Sequence, residues 1–263
     1  MENPRKYGAA PFNTAVVHGG PGAGGEMAPV ARRLSAGRGV LEPIQTQTTL
    51  EGQVEELKTT LEQHADSPLT LIGYSWGAWL SWITAARYPT LVQKLILISS
   101  GPFNVCYVAD LEAARLQRLS AEEREEFPRI LQALNQPETA DKDALLVRLG
   151  MLASKTDNFD PLPHPAIDAD AGRPSGEIFQ GVWNKAAKMR KNGMLLKLAE
   201  QIRCPVTAIH GDYDPHPAEG VQKPLASCLE NFRFILLTHC GHTPWIERRA
   251  REPFYTMLEA ELE

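Results

Sequence analysis

The feature that most constrains the fold of this chain is an alternation of short apolar runs with segments of helical periodicity. Six runs rich in Val, Ile and Leu have the character of strands: 14–17, 39–43, 69–73, 94–99, 205–209 and 232–237. Helical segments follow most of them, at about 27–34, 50–64, 76–87, 219–229 and 245–262. Such a repeat places parallel strands in one sheet with helices on both faces. The sequence therefore predicts an α/β fold with a doubly wound, mostly parallel sheet of about six strands.

Two segments show these patterns most clearly. In 50–64, leucine and valine recur at i, i+4, i+7 and i+11 from Leu50, which gives a helix with one apolar face. The run 94–99 has almost no polar alternation, as expected for a strand that is buried on both faces.

The alternation stops between 103 and 203. This stretch has helical pieces at about 111–119, 121–134, 143–153 and 177–201, a proline-rich loop near 161–165, and no strand pattern. About a hundred residues of helix between two sheet strands indicates an inserted cap. We therefore predict a core formed by 1–102 and 204–263 and a helical cap formed by 103–203.

Composition excludes several classes of partner. The formal net charge of −5 argues against nucleic acid or an anionic membrane. No apolar run approaches the length of a membrane span, and no apolar stretch follows the positive charges near the N-terminus, so neither an anchor nor a secretory signal is predicted. The four cysteines form no C-x-x-C pair. We expect free thiols in a reducing compartment, with the cytoplasm as the location.

Residues 73–77 read Gly-Tyr-Ser-Trp-Gly and join the apolar run 69–73 to a helical segment. A serine between two glycines at that junction is typical of a nucleophile elbow, a turn so tight that the serine is strained and its hydroxyl exposed. Gly73 and Gly77 would supply clearance where neighbouring backbone comes close. The pattern predicts that Ser75 is a nucleophile.

A serine hydroxyl needs a base to take its proton and an acid to orient that base. In chains with such an elbow, the acid follows a late strand and the histidine lies in a loop near the C-terminus. Asp212 and Asp214 both follow the run 205–209, and His242 follows the run 232–237. His242 is the predicted base, and either aspartate could be the acid. The other one would bond to the loop backbone.

A glycine-rich loop, His18-Gly-Gly-Pro-Gly22, follows the first strand. A backbone N–H at such a turn can point at a developing oxyanion, and the N–H of Trp76, next to the serine, can be the second donor. We expect His18 to shape this loop by hydrogen bonding and not to take part in the chemistry.

Taken in order, the His-Gly-Gly-Pro-Gly loop, the Gly-Tyr-Ser-Trp-Gly elbow, the Gly-Asp-Tyr-Asp loop and the Gly-His-Thr-Pro-Trp-Ile-Glu loop resemble the α/β-hydrolase superfamily, in particular its prolyl iminopeptidase-like group. The resemblance implies Ser75 as nucleophile, His242 as base and Asp214 as acid, with no cofactor. It assigns the oxyanion hole to Gly20 and Trp76. That family opens with an antiparallel hairpin, and only 13 residues precede Thr14 here, so we expect the hairpin to be missing or vestigial.

The expected reaction is cleavage of a small ester or amide through an acyl-enzyme, with a short peptide as a further substrate class. Caps of prolyl iminopeptidases carry acidic residues that bind a free amine. Glu122, Glu123, Glu125 and Glu126 are candidates by composition, although a solvated helix face explains them more simply. Four cap aromatics are candidates for lining a substrate pocket, with packing inside the cap as the alternative: Phe103, Tyr107, Phe179 and Trp183.

Three alternatives remain. The first is a carboxylesterase that needs no free amine, and the second is a non-catalytic protein that binds a small molecule on the same scaffold. The third is a metal-dependent hydrolase, because His and Asp alternate over 210–216 and His239 and His242 follow. Pro215 and Pro217 would end a strand there, and a metal leaves the elbow unexplained. We therefore predict no metal site.

Overall fold

A computed structural model describes residues 2–136, 138–163 and 172–263, and at its centre lies a sheet of seven strands. The strands are β1 (Arg5–Tyr7), β2 (Thr14–Val17), β3 (Val40–Glu42), β4 (Leu69–Tyr74), β5 (Val92–Ile98), β6 (Val206–Gly211) and β7 (Phe232–Leu237). Their order across the sheet is β1-β3-β2-β4-β5-β6-β7. All neighbours are parallel except β1, which pairs antiparallel with β3. This is the predicted doubly wound α/β architecture.

The structure contains the six predicted strands and adds the edge strand β1. Its register places Arg5 opposite Glu42, and the buried Glu42 carboxylate accepts a hydrogen bond from Tyr7 Oη at 2.8 Å. Because β1 pairs with β3 and not with β2, the described residues form no hairpin ahead of the glycine-rich loop. The three residues of β1 include two charged side chains and show no apolar alternation, so their local sequence does not predict a strand. The contacts of this segment with Glu42 explain its position better.

Alternate residues along the central strands face two helical layers. Leu95 and Leu97 pack toward α2 (Leu50–His64), α3 (Trp76–Arg87) and α9 (Glu219–Cys228). Ile96 and Ile98 pack on the opposite face, toward α1 (Ala28–Leu34) and α10 (Arg251–Ala260). The central strands β2, β4 and β6 are buried on both faces, and so are Leu95 to Ile98 of β5, as the apolar run 94–99 predicted. The edge strand β7 is partly exposed.

Between β5 and β6 lie the predicted cap helices, α4 (Val108–Gln117), α5 (Ala121–Leu134), α6 (Lys142–Asp157), α7 (Gly176–Lys191) and α8 (Met194–Lys197). Helices α5 to α7 share a small apolar cluster of their own around Phe127, Ile130 and Leu134. The helix predicted over 177–201 is interrupted where Gly193 has a φ of +76°. Residues 137 and 164–171, including part of the predicted proline-rich loop, lie outside the described residues, and the division into core and cap stays a prediction.

The last predicted helix, over 245–262, is also divided. A 3-10 helix, Pro244–Ile246, comes first, and α10 begins at Arg251. Within the described part of the chain, no helix is both long and apolar enough to cross a membrane.

Candidate active site

Ser75 lies at the turn between β4 and α3 with φ 52° and ψ −115°, a backbone conformation that residues with a Cβ rarely adopt. Its N–H donates to the carbonyl of Ile98 at 2.9 Å, which fixes the turn against β5. A Cβ at Gly73 would overlap the carbonyl of Gly77, and a Cβ at Gly77 would overlap those of Val17 and His18. The two glycines therefore allow the close backbone approach that the sequence predicted.

Three of the predicted residues form one chain of hydrogen bonds. His242 Nε2 lies 2.9 Å from Ser75 Oγ, and His242 Nδ1 lies 2.7 Å from Asp214 Oδ2. These residues follow the carboxyl ends of β4, β6 and β7, which open on the same edge of a parallel sheet. The geometry can pass the serine proton to an imidazole whose other nitrogen is held by a carboxylate.

The pKa values of this pair move in opposite directions. Burial opposes charge on His242, but the carboxylates of Asp214 and Asp157 outweigh burial and raise the pKa of His242. Burial likewise opposes charge on Asp214, and the neighbouring histidines, His242 first, hold its pKa well below the usual range. Asp214 is therefore ionised at neutral pH, and the site favours proton uptake by His242.

Asp212 has a different environment. Its Oδ1 accepts a hydrogen bond from the N–H of Cys240 at 3.1 Å. This contact joins the loop after β6 to the loop after β7. It is the bond to loop backbone that we expected from the sequence for the aspartate that is not the acid. Asp214, and not Asp212, contacts His242.

His216 belongs to the same cluster, although sequence reasoning named it only as a candidate metal ligand. Asp214 Oδ1 accepts hydrogen bonds from His216 Nδ1 at 2.7 Å and from its backbone N–H at 2.9 Å. The rings of His216 and His242 stack with centroids 4.5 Å apart. The spacing Asp-x-His was the available signal, because an aspartate often bonds to the backbone two residues ahead.

Asp214, His216 and His242 also bring three potential metal-ligand atoms within 4.8 Å of one another. Both nitrogen–oxygen distances in the cluster are 2.7 Å. Two atoms bound to one zinc ion at about 2.0–2.1 Å in tetrahedral geometry would be roughly 3.3 Å apart. The observed spacing fits shared protons and not shared coordination of an ion. The other members of the predicted metal alternative, His210, Asp212 and His239, lie outside this group.

His18 shapes the glycine-rich loop by hydrogen bonding, as expected. Its Nε2 accepts the N–H of Gln45 at 3.1 Å, so its Nδ1 carries the proton and donates to the Gly19 carbonyl at 2.8 Å. Burial lowers the pKa of His18 to about 4, which keeps the ring neutral. The loop turns at Gly20, where φ is +33°.

Trp76 is the first residue of α3, so its N–H has no acceptor within the helix. The indole Nε1 of Trp76 donates to Gln45 Oε1 at 2.8 Å and lies 3.1 Å from Gln53 Oε1. The side chain is thus anchored in the core, and its backbone N–H remains next to Ser75. Gly20 and Trp76 have the backbone features expected of oxyanion donors, and that role stays a prediction.

Glu26 lies against this loop. Its Oε2 and the Tyr74 ring both lie 2.9 Å from the point that a Cβ on Gly19 would occupy. Solvent reaches the side chain, yet the surrounding protein reduces its hydration and raises the pKa of Glu26 to about 7, an effect that the charge of His242 opposes. Sequence reasoning missed this carboxyl group, because no motif includes it.

Residues at the end of α6 contact the loop that carries His242 directly. The N–H of His242 donates to the carbonyl of Asp157, the last residue of α6, at 2.7 Å. The Asp157 carboxylate is paired with Arg115 of α4 through bonds of 2.9 and 2.5 Å. The buried Glu247 accepts N–H bonds at 2.7–2.9 Å from Phe159, Asp160 and Gly241. These contacts tie residues 157–160 to the loop that carries His242.

The predicted pocket aromatics lie in packing contacts. Phe103 is buried edge-on against Trp82, with ring centroids 5.1 Å apart. Trp183 stacks between Phe179 and Trp79, and each pair of centroids is 6.0 Å apart. The half-buried Tyr107 packs beside Gly220. A role for these four residues in a substrate pocket stays a prediction.

The acidic cluster of α5 is used within the cap itself. Glu123 completes a capping box with Ser120 and pairs with Lys155 at 2.6 Å. Glu126 pairs with Arg148, Glu125 with Arg129, and Glu122 accepts a bond from Ser120 Oγ. Three of the four glutamates are thus in ion pairs and the fourth accepts a hydrogen bond, as expected for a solvated helix face.

Comparison with known proteins shows the family. The sequence model of the α/β-hydrolase fold family matches residues 16–248 of this chain. Human epoxide hydrolase 4 is 36% identical over 64 residues, which are 24% of this chain and 18% of that protein, so the chain aligns with under a fifth of its length. Proline iminopeptidase of Mycobacterium smegmatis has a TM-score of 0.65 at 16% identity, over 98% of this chain and 93% of that one. Monoacylglycerol lipase of Paleococcus ferrophilus has a TM-score of 0.62 at 16% identity, over 100% and 98%. Since the family match covers most of its length, the chain belongs to the α/β-hydrolase fold family.

Proposed function

We propose that this protein is a serine hydrolase that cleaves a small ester or amide through an acyl-enzyme on Ser75. The observation that carries the proposal is the hydrogen-bond chain from Ser75 Oγ through His242 to Asp214, at 2.9 and 2.7 Å. The strained backbone of Ser75 supports it, because strain of this kind is typical of a nucleophile elbow.

The reaction follows from these positions. Ser75 Oγ attacks the carbonyl carbon while its proton moves to His242 Nε2, and Asp214 stabilises the imidazolium that forms. The N–H groups of Gly20 and Trp76 hold the oxyanion. His242 returns the proton to the leaving group, which departs and leaves an acyl-serine. His242 then takes a proton from water as the water attacks this ester, and it returns the proton to Ser75 Oγ as the bond between Oγ and the acyl carbon breaks. This releases the carboxylic acid and restores the serine hydroxyl.

Replacement of Ser75 by Ala tests the nucleophile. We expect the variant to lose labelling by a fluorophosphonate probe and to lose hydrolysis of p-nitrophenyl acetate by roughly 10³-fold or more. Ser227→Ala is the matched control, since Ser227 is exposed and its Oγ contacts the Pro224 carbonyl and the Sγ of the exposed Cys228. Unchanged labelling in folded Ser75→Ala would contradict the proposal, and absence of labelling in the wild-type protein would favour a non-catalytic binder. A chelator should leave the activity unchanged, whereas the metal alternative requires its loss.

The substrate class is tested by comparing short aryl esters with aryl amides of proline. The pairing of all four α5 glutamates within the cap gives no support to recognition of a free amine by that cluster. We therefore favour a carboxylesterase over a prolyl iminopeptidase. Strong preference for substrates with a free N-terminal amine would reverse this choice.

A further inference from the structure

Asp214 is hydrogen-bonded to two imidazoles, one on each carboxylate oxygen, and His210 Nε2 lies farther away, 3.5 Å from Oδ2. Oδ2 bonds to His242 at 2.7 Å, whereas Oδ1 accepts the ring Nδ1 of His216 at 2.7 Å and its backbone N–H at 2.9 Å. An ionised carboxylate only accepts hydrogen bonds, so Nδ1 of His216 must carry the proton. The mechanism above uses the first imidazole alone, and the second has no role in it.

His216 is fixed on several sides. Its carbonyl accepts a bond from Nε2 of the buried His210 at 2.8 Å, and prolines flank it in sequence. A proline fixes its own φ and restricts the residue before it, so this loop has few alternative conformations. The ring of His216 stacks on His242 at 4.5 Å with an interplanar angle of 26°. The ring therefore limits rotation of both Asp214 and His242.

The charge state of His216 suits this position. Burial is the main cause that lowers the pKa of His216 to about 4, against the opposing effect of Asp214. The ring is neutral wherever His242 titrates, so it does not compete for the proton of Ser75. A cation stacked on His242 would repel the imidazolium that forms during the reaction.

We propose that His216 is a positioning residue, which fixes the Asp214 carboxylate, supports the ring of His242 and thereby sets how readily His242 accepts the serine proton. This proposal rests on the proposed function. Its chemical basis is competition for one carboxylate, because a second ring donor on Asp214 disperses negative charge that would otherwise strengthen its bond to His242.

Other charged and titratable groups act on His242 from the elements around it. Asp157 and Arg115 act from the cap, Glu26 from the loop after β2, and His210 from β6. The Tyr74 ring contacts His242 at 5.1 Å between centroids. His210 contacts the carbonyl of His216, which a side-chain substitution keeps, so a comparison of two variants at His216 separates the effect of the ring from that of these groups.

Two variants separate the hydrogen bond from the stacking. His216→Phe keeps a ring but removes the donor, and His216→Asn keeps a donor near the position of Nδ1 but removes the ring. For His216→Phe we expect the acidic limb of the kcat/KM profile to move upward by roughly half to one pH unit and kcat to fall roughly tenfold. His216→Asn should restore most of the pH profile. Identical profiles for both variants, whether shifted or unshifted, would overturn the proposal.

Histidine 15N NMR of the wild-type protein provides a test that needs neither a variant nor turnover. We expect His216 to stay neutral with its proton on Nδ1 from pH 5 to pH 9. A proton on Nε2, or titration of His216 inside this range, would overturn the proposal. Because this measurement does not depend on hydrolysis, its result stays separate from the outcome of the Ser75 experiments.

Discussion

At the scale of single residues, Ser75 combines a hydrogen bond to His242 with an unfavourable backbone conformation. A φ of 52° with ψ of −115° brings Cβ close to neighbouring backbone atoms, which costs on the order of 1–3 kcal/mol. The surrounding contacts hold the residue there, because its N–H is bonded to Ile98 and two glycines admit the crossing backbone. The fold therefore holds a strained serine in a backbone conformation that glycine would adopt without strain.

This strain predicts that removing the side chain stabilises the protein. In Ser75→Gly the strain disappears, and the extra freedom of glycine in the unfolded chain offsets only part of the gain. We expect the free energy of unfolding to rise by about 1 kcal/mol while hydrolysis is lost. Ser75→Ala keeps a Cβ and is the matched control, with stability near that of the wild type. Urea unfolding measures all three proteins, and Ser75→Gly less stable than Ser75→Ala would contradict the argument.

At the scale of elements, the loop after β7 is held by the cap as well as by the sheet. Glu247 lies buried and accepts three backbone N–H groups, two of them from residues 159–160 beyond the end of α6. His242, within the same loop, donates its own N–H to Asp157. One carboxylate thus fixes both residues 159–160 and the loop that carries His242.

Replacing Glu247 by Ala leaves three N–H groups without their acceptor, one of them buried and two partly buried. Bonds to a charged acceptor contribute about 1.5–3 kcal/mol each and are not additive, so we expect the variant to lose roughly 3–5 kcal/mol of unfolding free energy. Glu230→Ala, at an exposed position, should stay within about 0.5 kcal/mol of the wild type. Chemical denaturation of the two variants checks this. Equal stability of Glu247→Ala and Glu230→Ala would show that the carboxylate does not join these segments.

At the scale of the whole molecule, the sequence predicted the strands, the helices and the order of the loops, because these depend on patterns of neighbouring residues. The apolar runs and the helix 50–64 lie where expected, because side-chain periodicity alone selects their faces. The elbow and the loops after β6 and β7 follow from chain order along a parallel sheet. These patterns predicted Ser75 and His242 and left Asp212 and Asp214 as alternatives for the acid, between which the resemblance to the α/β-hydrolases selected Asp214.

Contacts between distant parts of the sequence could not be predicted in this way. Strand β1 depends on Glu42, and the Glu247 contacts join residues 87 and 88 positions apart. The role of His216 was also hidden, because its ring meets Asp214 only once the loop has folded. Such contacts depend on tertiary packing, which the spacing of apolar residues along the sequence does not predict.

Several buried histidines make the stability of the whole molecule depend on pH. The pKa of His18 and of His216 is lowered to about 4 by burial, and that of His210 is lowered too. A histidine in the unfolded chain has a pKa near 6.5. Below that pH these histidines bind protons in the unfolded chain but stay neutral in the folded one. Each of these groups therefore weakens the fold as the pH falls below about 6.5, and for His18 and His216 this continues to about pH 4. His242 and Glu26, whose pKa values are raised, act in the opposite direction.

Replacing His18 by Gln isolates one of these groups. Glutamine can present an acceptor near the position of Nε2, where Gln45 donates its N–H, but it does not titrate. The variant should therefore lose one protonation linkage and leave the other groups in place. Between about pH 6 and 4.5 we expect the free energy of unfolding of the wild type to fall faster than that of the variant by about 1 kcal/mol per pH unit. Above about pH 8 the two curves should run parallel, which is the internal control. Denaturant titrations at several pH values measure both curves, and parallel curves down to pH 4.5 would mean that His18 is not buried as a neutral ring.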